Sequence, residues 1–181
     1  MSTNPSNLIL FGHKSCGKTY FGRLLTQELG HMFIDTDSSI EKLYEKEFHE
    51  QLNYRQIAIK IGQASFRMLE RRIIDSLELT TLTTIAVGGG TVLNPENLSK
   101  LKMCGRLVYL EVNKEIIKQR IFLNGVPIFL DPHDPINSFE KMYDERNLIY
   151  NKISRFKVSI HGKTDQQVLT ELKNIAVIHD H

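Results

Sequence analysis

The run Gly12-His13-Lys14-Ser15-Cys16-Gly17-Lys18-Thr19 fits the pattern G-x-x-x-x-G-K-[ST] and directly follows an apolar stretch, Leu8-Ile9-Leu10-Phe11. This pattern constrains the fold because it works in one setting, in which a strand enters the loop and a helix leaves it. Glycines let backbone N–H groups close around phosphate oxygens, the lysine reaches the β- and γ-phosphates, and the final hydroxyl ligates Mg2+. After the loop, Phe21, Leu24, Leu25 and Leu29 recur at helical spacing. Bound phosphates would then lie at a helix N-terminus, where the dipole favours anions. The competing reading is an ordinary glycine turn, and the strand before it and helix after it argue against that.

The rest of the chain extends the alternation. Apolar strand candidates fall at Leu8–Phe11, Met32–Asp35, Thr84–Val87, Leu107–Val112 and Phe156–Ile160, with helical periodicity between most of them. That order predicts an α/β three-layer sandwich with a five-stranded, mainly parallel sheet and right-handed crossovers. Ligands are expected beyond the strand C-terminal ends. The 181 residues suit one domain, 1–181. Two segments read as insertions on its core, 38–63 and 122–137. The second holds Gly125, Pro127, Pro132 and Pro135, punctuation that suits a mobile lid.

Charge narrows the class of partner. With 23 Lys and Arg against 21 Asp and Glu, the net charge of +2 gives no case for a nucleic-acid or membrane surface. Residues 1–7 lack the basic start and apolar core of a signal peptide, and no apolar run approaches membrane-spanning length. Cys16 and Cys104 read as reduced thiols, so a cytoplasmic setting is expected. His179-Asp180-His181 is a weak metal candidate, since no third ligand cluster accompanies it.

Several residues have two readings when taken alone. Asp35 and Asp37 are spaced by two, so on extended chain both carboxylates point the same way. One would hold the Mg2+ hydration shell while the other orients or deprotonates an attacking hydroxyl. Asp37 is equally suited to start the next helix as its N-cap. Gly88-Gly89-Gly90 is either a flexible turn or a place where backbone approaches a ligand closely. Arg67 sits in a predicted helix, Ala64–Leu79, where a solvated pair with Glu70 at i,i+3 is the plain alternative. Arg146, in the segment Ser138–Lys152 beside Glu145, has a similar surface reading.

The order G-x-x-x-x-G-K-T, Asp35-x-Asp37-x-x-Ile40-Glu41, Ile61-Gly62-x-x-x-Phe66-Arg67-x-x-Glu70, Gly88-Gly89-Gly90 and Arg146-x-x-x-Tyr150 resembles the shikimate kinase family over nearly the whole chain. The resemblance implies a P-loop kinase fold and transfer of the ATP γ-phosphoryl group to the 3-hydroxyl of shikimate, with Mg2+ required. Carried over to this sequence, it implies that Gly12, Lys14, Ser15, Cys16, Gly17, Lys18, Thr19, Tyr20 and Arg120 bind ATP. Thr19 would ligate Mg2+ and Asp35 would hold it through water. Asp37 would grip the reacting hydroxyl, with Lys18 and Asp37 as the catalytic pair. Arg67 and Arg146 would clamp the substrate carboxylate, and Gly88, Gly89 and Gly90 would complete its pocket. A monomer working on ATP and shikimate, with no nucleic-acid or membrane partner, is expected.

One departure stands out. The family carries a lid arginine in an Arg-Pro-Leu-Leu pattern, and this chain reads Val126-Pro127-Ile128-Phe129. A cation there stabilises charge in the transition state, so a substitute is sought in Arg120 or Lys118, with Arg120 preferred. Glutamine at Gln63, where the family usually has glutamate, reads as a minor change. Two alternatives remain open: a kinase for another small acceptor such as gluconate or a nucleoside monophosphate, and a nucleotide-binding module with weakened catalysis.

Overall fold

In the computed structural model, residues 7–78, 82–123, 125–126 and 129–177 are described. Met1–Ser6, Leu79, Pro127, Ile128 and the His179-Asp180-His181 candidate lie outside them. Strands β1 (Leu8–Phe11), β2 (Met32–Asp35), β3 (Thr83–Ala86), β4 (Arg106–Glu111) and β5 (Phe156–Ser159) form one sheet in the order β2-β3-β1-β4-β5. Every neighbouring pair is parallel, with Leu8 in register with Thr84 on one side and Arg106 on the other. The expected bounds hold for β1 and β2. The other three end one residue early, because the chain turns away at Gly88, Val112 and Ile160, although Val87 N still donates to Leu10 O (3.1 Å) and Ile160 N to Glu111 O (2.9 Å).

Strand alternation builds two cores from β1 alone. Leu8 and Leu10 pack toward α1 (Lys18–Leu29), α5 (Lys114–Phe122) and α7 (Asp165–Val177). Ile9 and Phe11 pack toward the C-terminal part of α3 (Tyr54–Asp75) and toward α4 (Pro95–Cys104). The long helix α6 (Pro135–Ile153) contributes Phe139 and Tyr143 to the first core and Tyr150 to the second. Arg146, between those anchors, is therefore carried across the strand ends. A third cluster joins α2 (Thr36–Phe48) to α3 through Ile40, Tyr44, Ile57, Phe66, Leu69 and Ile73. No helix among the described residues is long and apolar enough to cross a membrane.

The helix expected over 64–79 is longer at its start and shorter at its end. It begins at Tyr54, behind a capping box in which Asn53 Oδ1 accepts from Arg55 N and Gln56 N while Gln56 Oε1 accepts from Asn53 N. It stops at Asp75, and Ser76 caps it. Gly62 interrupts it at φ 77°, ψ 162°, a left-handed, extended combination that suits a residue without Cβ. The interruption turns 54–61 and 63–75 into two half-helices, and this broke the 3.6-residue rhythm that otherwise marks a helix in sequence.

Candidate active site

A cavity of ≈ 630 Å³ opens at the C-terminal ends of the strands, a size suited to small ligands. All the predicted site residues line it except Gly12 and Cys16, which are buried in the loop beneath. The nucleotide side is built by the loop itself. Lys18 Nζ donates to Gly12 O (3.1 Å) and His13 O (2.9 Å), which lays the ammonium along the inside of the loop. Arg120 Nη1 donates to Ser15 O (3.0 Å), bringing the end of α5 to the loop's outer side. Lys118, the other candidate cation on α5, turns instead to Glu140 (2.7 Å). Tyr20 is half-exposed, and its hydroxyl donates to Asp165 at the start of α7.

The acidic pair converges by a route other than the one extended chain suggests. Asp35 ends β2, whereas Asp37 already lies in the first turn of α2. The N-cap is Asp35, not Asp37: its Oδ1 accepts from Asp37 N (3.0 Å) and Ser38 N (3.4 Å). This fixes the carboxylate and leaves Oδ2 to accept from Thr19 Oγ1 (2.6 Å). The hydroxyl and carboxylate form an all-oxygen pair suited to Mg2+, which takes one or two protein oxygens together with water and phosphate. Asp37 faces the cavity with its carboxyl pushed up to about 6, first by burial and then by the Asp35 charge, with Lys18 opposing. A carboxylate of that basicity is suited to accepting a proton near neutral pH.

Arg67 and Arg146 come together at the other end, on either side of the triple glycine. The Arg67–Glu70 pair forms (2.8 Å), but Glu70 is 1% exposed, so this is not a solvated surface pair. Glu70 also accepts from Thr91 Oγ1 (2.7 Å). Gln63, with its amide oxygen turned inward, accepts from Arg67 Nε (3.1 Å) and Nη2 (3.0 Å). In that orientation the glutamine holds the guanidinium without adding a negative charge. A Cβ at Gly90 would lie 2.5 Å from Arg67 Nη2, and one at Gly89 would lie 3.7 Å from Arg146 Nη1. The glycine at 90 is what lets the Arg67 fork reach the floor of the cavity, whereas a Cβ at Gly89 would make only ordinary contact with Arg146. Gly88 N donates to Thr36 Oγ1 (3.1 Å), and Tyr150 OH donates to Gly89 O, tying this turn to α2 and α6.

Tyr54, Arg55, Glu70 and Phe129 also line the cavity and were not among the expected site residues. Glu70 had a signal, its place in the Arg67 motif. Tyr54 and Arg55 had none, because only the fold of α3 over the phosphate loop brings them in. Lys14 sits between Tyr54 and Phe129. Its amine is drawn down to about 8 by burial, then by the Arg55 guanidinium, while Asp37 pulls the other way. His13, 1% exposed, stacks on Tyr143 (4.1 Å between centroids). Burial, followed by Arg146 and Lys18, drives its pKa down to about 3, so the ring stays neutral.

Comparison with known proteins identifies the family. The family model for shikimate kinase matches residues 14–176. A shikimate kinase of Alkaliphilus oremlandii is 33% identical over 168 residues, covering 92% of this chain and 96% of the relative. One from Trichormus variabilis is 31% identical over 170 residues, covering 93% and 90%. Among solved structures, shikimate kinase from Acinetobacter baumannii in complex with shikimate superposes with a TM-score of 0.82 at 24% identity, over 95% of this chain and 93% of that one. Shikimate kinase from Aquifex aeolicus gives 0.73 at 28% identity, over 92% and 93%.

Proposed function

The chain belongs to the shikimate kinase family of ATP-dependent transferases, and we propose that it moves the γ-phosphoryl group of ATP onto the 3-hydroxyl of shikimate, giving 3-phosphoshikimate and ADP. The observation that carries this reading is the convergence of one carboxylate, Asp37, and two guanidinium groups, Arg67 and Arg146, on a single cavity floored by the phosphate loop. A substrate with a carboxylate at one end and a hydroxyl at the other matches that spread of charge.

The loop 12–19 holds the phosphates, Lys18 reaches the β- and γ-phosphates, and Arg120 and Tyr20 border the nucleotide. Thr19 and Asp35 would hold Mg2+, Asp35 through water, and the ion would supply positive charge to offset that of the phosphates. Asp37 orients the hydroxyl and takes its proton. Arg67, braced by Glu70 and Gln63, clamps the carboxylate with Arg146, over the backbone of Gly88, Gly89 and Gly90. The segment 38–63 serves as the acceptor-binding insertion and 122–137 as the lid of one domain. The free thiols of Cys16 and Cys104 support a reducing, cytoplasmic setting, in which we expect a monomer.

The test is ADP release from Mg·ATP with shikimate present, absent, or replaced by gluconate or AMP. Shikimate-dependent turnover that disappears in Asp37→Asn is the expected result. Turnover on another acceptor would replace the substrate, and nucleotide binding with no turnover would leave a binding module.

A further inference from the structure

Lys14 belongs to the loop that cradles phosphates, yet its side chain leaves the loop toward the acceptor end of the cavity. Its ammonium lies 5.6 Å from the centroid of the Tyr54 ring and 5.3 Å from that of Phe129. Four other cations around the cavity rest on protein oxygens, Lys18 on loop carbonyls, Arg67 on Glu70, Arg120 on Ser15 O and Arg55 on the Tyr54 hydroxyl, while Arg146 lies, like Lys14, over the Phe129 ring (5.9 Å). Among the described residues, no carboxylate or carbonyl hydrogen-bonds the Lys14 ammonium, which lies against two aromatic faces. A half-buried ammonium without an acceptor is costly. The arrangement is accounted for if a ligand anion completes it.

The position of the charge identifies which anion. Lys14 interacts electrostatically with Arg55 on α3, Asp37 on α2 and Lys18 on α1. It lines one cavity with Asp37, the carboxylate that faces the acceptor hydroxyl, and Lys18, the lysine that faces the β- and γ-phosphates. The lid offers no cation at the matching place, since Val126 lines the same cavity with an apolar side chain. Arg120 is turned to the nucleotide side of the loop and Lys118 to Glu140.

We propose that Lys14 is a catalytic cation that binds the transferring phosphoryl group from the acceptor side, supplying the charge that Val126 does not supply from the lid. The proposal rests on the kinase reading above. In the step it serves, the acceptor oxygen bonds to the γ-phosphorus while the β–γ bridging P–O bond breaks, its electron pair leaving with ADP. The hydroxyl proton goes to Asp37. Lys14 donates hydrogen bonds to a γ-oxygen throughout and exchanges no proton.

Steady-state kinetics of Lys14→Met, Lys14→Arg and the pair Lys14→Met with Val126→Arg test it. Lys14→Met should lower kcat with shikimate by about 10²-fold while melting temperature and Mg·ADP affinity stay near those of the wild type. Lys14→Arg should keep most of the activity, and Val126→Arg should recover at least about tenfold in the Lys14→Met background. In the wild type kcat/KM should fall as the pH rises above about 8, a limb that Lys14→Arg lacks, with Arg55, Asp37, Lys18, Tyr54 and Phe129 unchanged around it. A second readout needs no acceptor: Mg·ADP with aluminium fluoride, which mimics the transferring phosphoryl group, should bind about 10-fold or more weakly to Lys14→Met. If the wild type ignores shikimate, the substrate assignment fails, and the aluminium fluoride comparison still decides the role of Lys14. Equal binding of that complex by wild type and Lys14→Met, or unchanged kcat, overturns the proposal.

Discussion

Asp37 shows how a single residue can serve chemistry at the expense of the fold. Its carboxyl titrates near 6 in the folded chain against 3.8 in water. The stability tied to this group is present in full below pH 3.8 and is lost as the pH rises through 6. At pH 8, Asp37→Asn should therefore stabilise the protein, on the order of 1–2 kcal/mol by chemical denaturation, while removing about 10³-fold or more of the turnover. An unchanged midpoint would mean that the carboxylate is well solvated. The same ionisation should give kcat/KM an acid limb near pH 6, measurable as a fall in rate below it. Gly90 makes the opposite separation. In Gly90→Ala the new methyl meets the far end of a flexible arginine, so the fold should tolerate it. The acceptor KM should rise roughly 10-fold or more as the fork of Arg67 is displaced, on the scale of a lost charged hydrogen bond, with ATP KM little changed. An equal rise in both constants would mean that the damage is general. At this scale much was legible: the loop, both aspartates and both arginines all reach the site. What stayed hidden was the setting of each. Lys14, Tyr54 and Phe129 meet across 115 residues of chain, and no local pattern records such a contact.

Among the elements, the first turn of α2 joins folding to metal chemistry. One oxygen of Asp35 caps that helix and the other faces Thr19, so two substitutions can separate the roles. Asparagine caps a helix about as well as aspartate but carries no charge. Asp35→Asn should thus hold stability within about 0.5 kcal/mol, whereas Asp35→Ala should cost about 1 kcal/mol. Both should raise the Mg2+ concentration needed for half-maximal rate, and normal Mg2+ dependence in Asp35→Asn would dissociate the carboxylate from the metal. Strands were legible because each is short, apolar and bounded by turn residues. The N-terminal half of α3 was not, although Asn53 and Gln56 spell a capping box. Gly62 cuts the helix in two, and Arg55, Gln56, Ile59 and Lys60 are all exposed, with little apolar contrast. Periodicity needs a longer uninterrupted run to rise above that noise.

For the whole molecule, the sheet order places the loop after β1 between β3 and β4, so everything it binds touches residues from both halves of the chain. Ligands that bridge those halves should stabilise them together. Mg·ADP at 100 times its Kd adds about 2.7 kcal/mol by mass action, and shikimate at its own 100-fold excess should add a similar amount. For a chain of this size each increment should raise Tm by roughly 5–10 °C. A shift with nucleotide and none with shikimate, in the presence of nucleotide, would locate the fault at Arg67 and Arg146.

The pairing of Leu8 with Thr84 and Arg106 also bears on how the protein is made. The central strand leaves the ribosome before either of its neighbours. At about 5–20 residues per second, Leu8–Phe11 waits roughly 4–15 s for its first partner. During that interval the strand has no native sheet partner, although Leu8 and Leu10 can already meet α1. Nascent chains halted before residue 83 should accordingly recruit chaperones that recognise extended apolar peptide, and chains halted well beyond residue 111 should recruit far fewer.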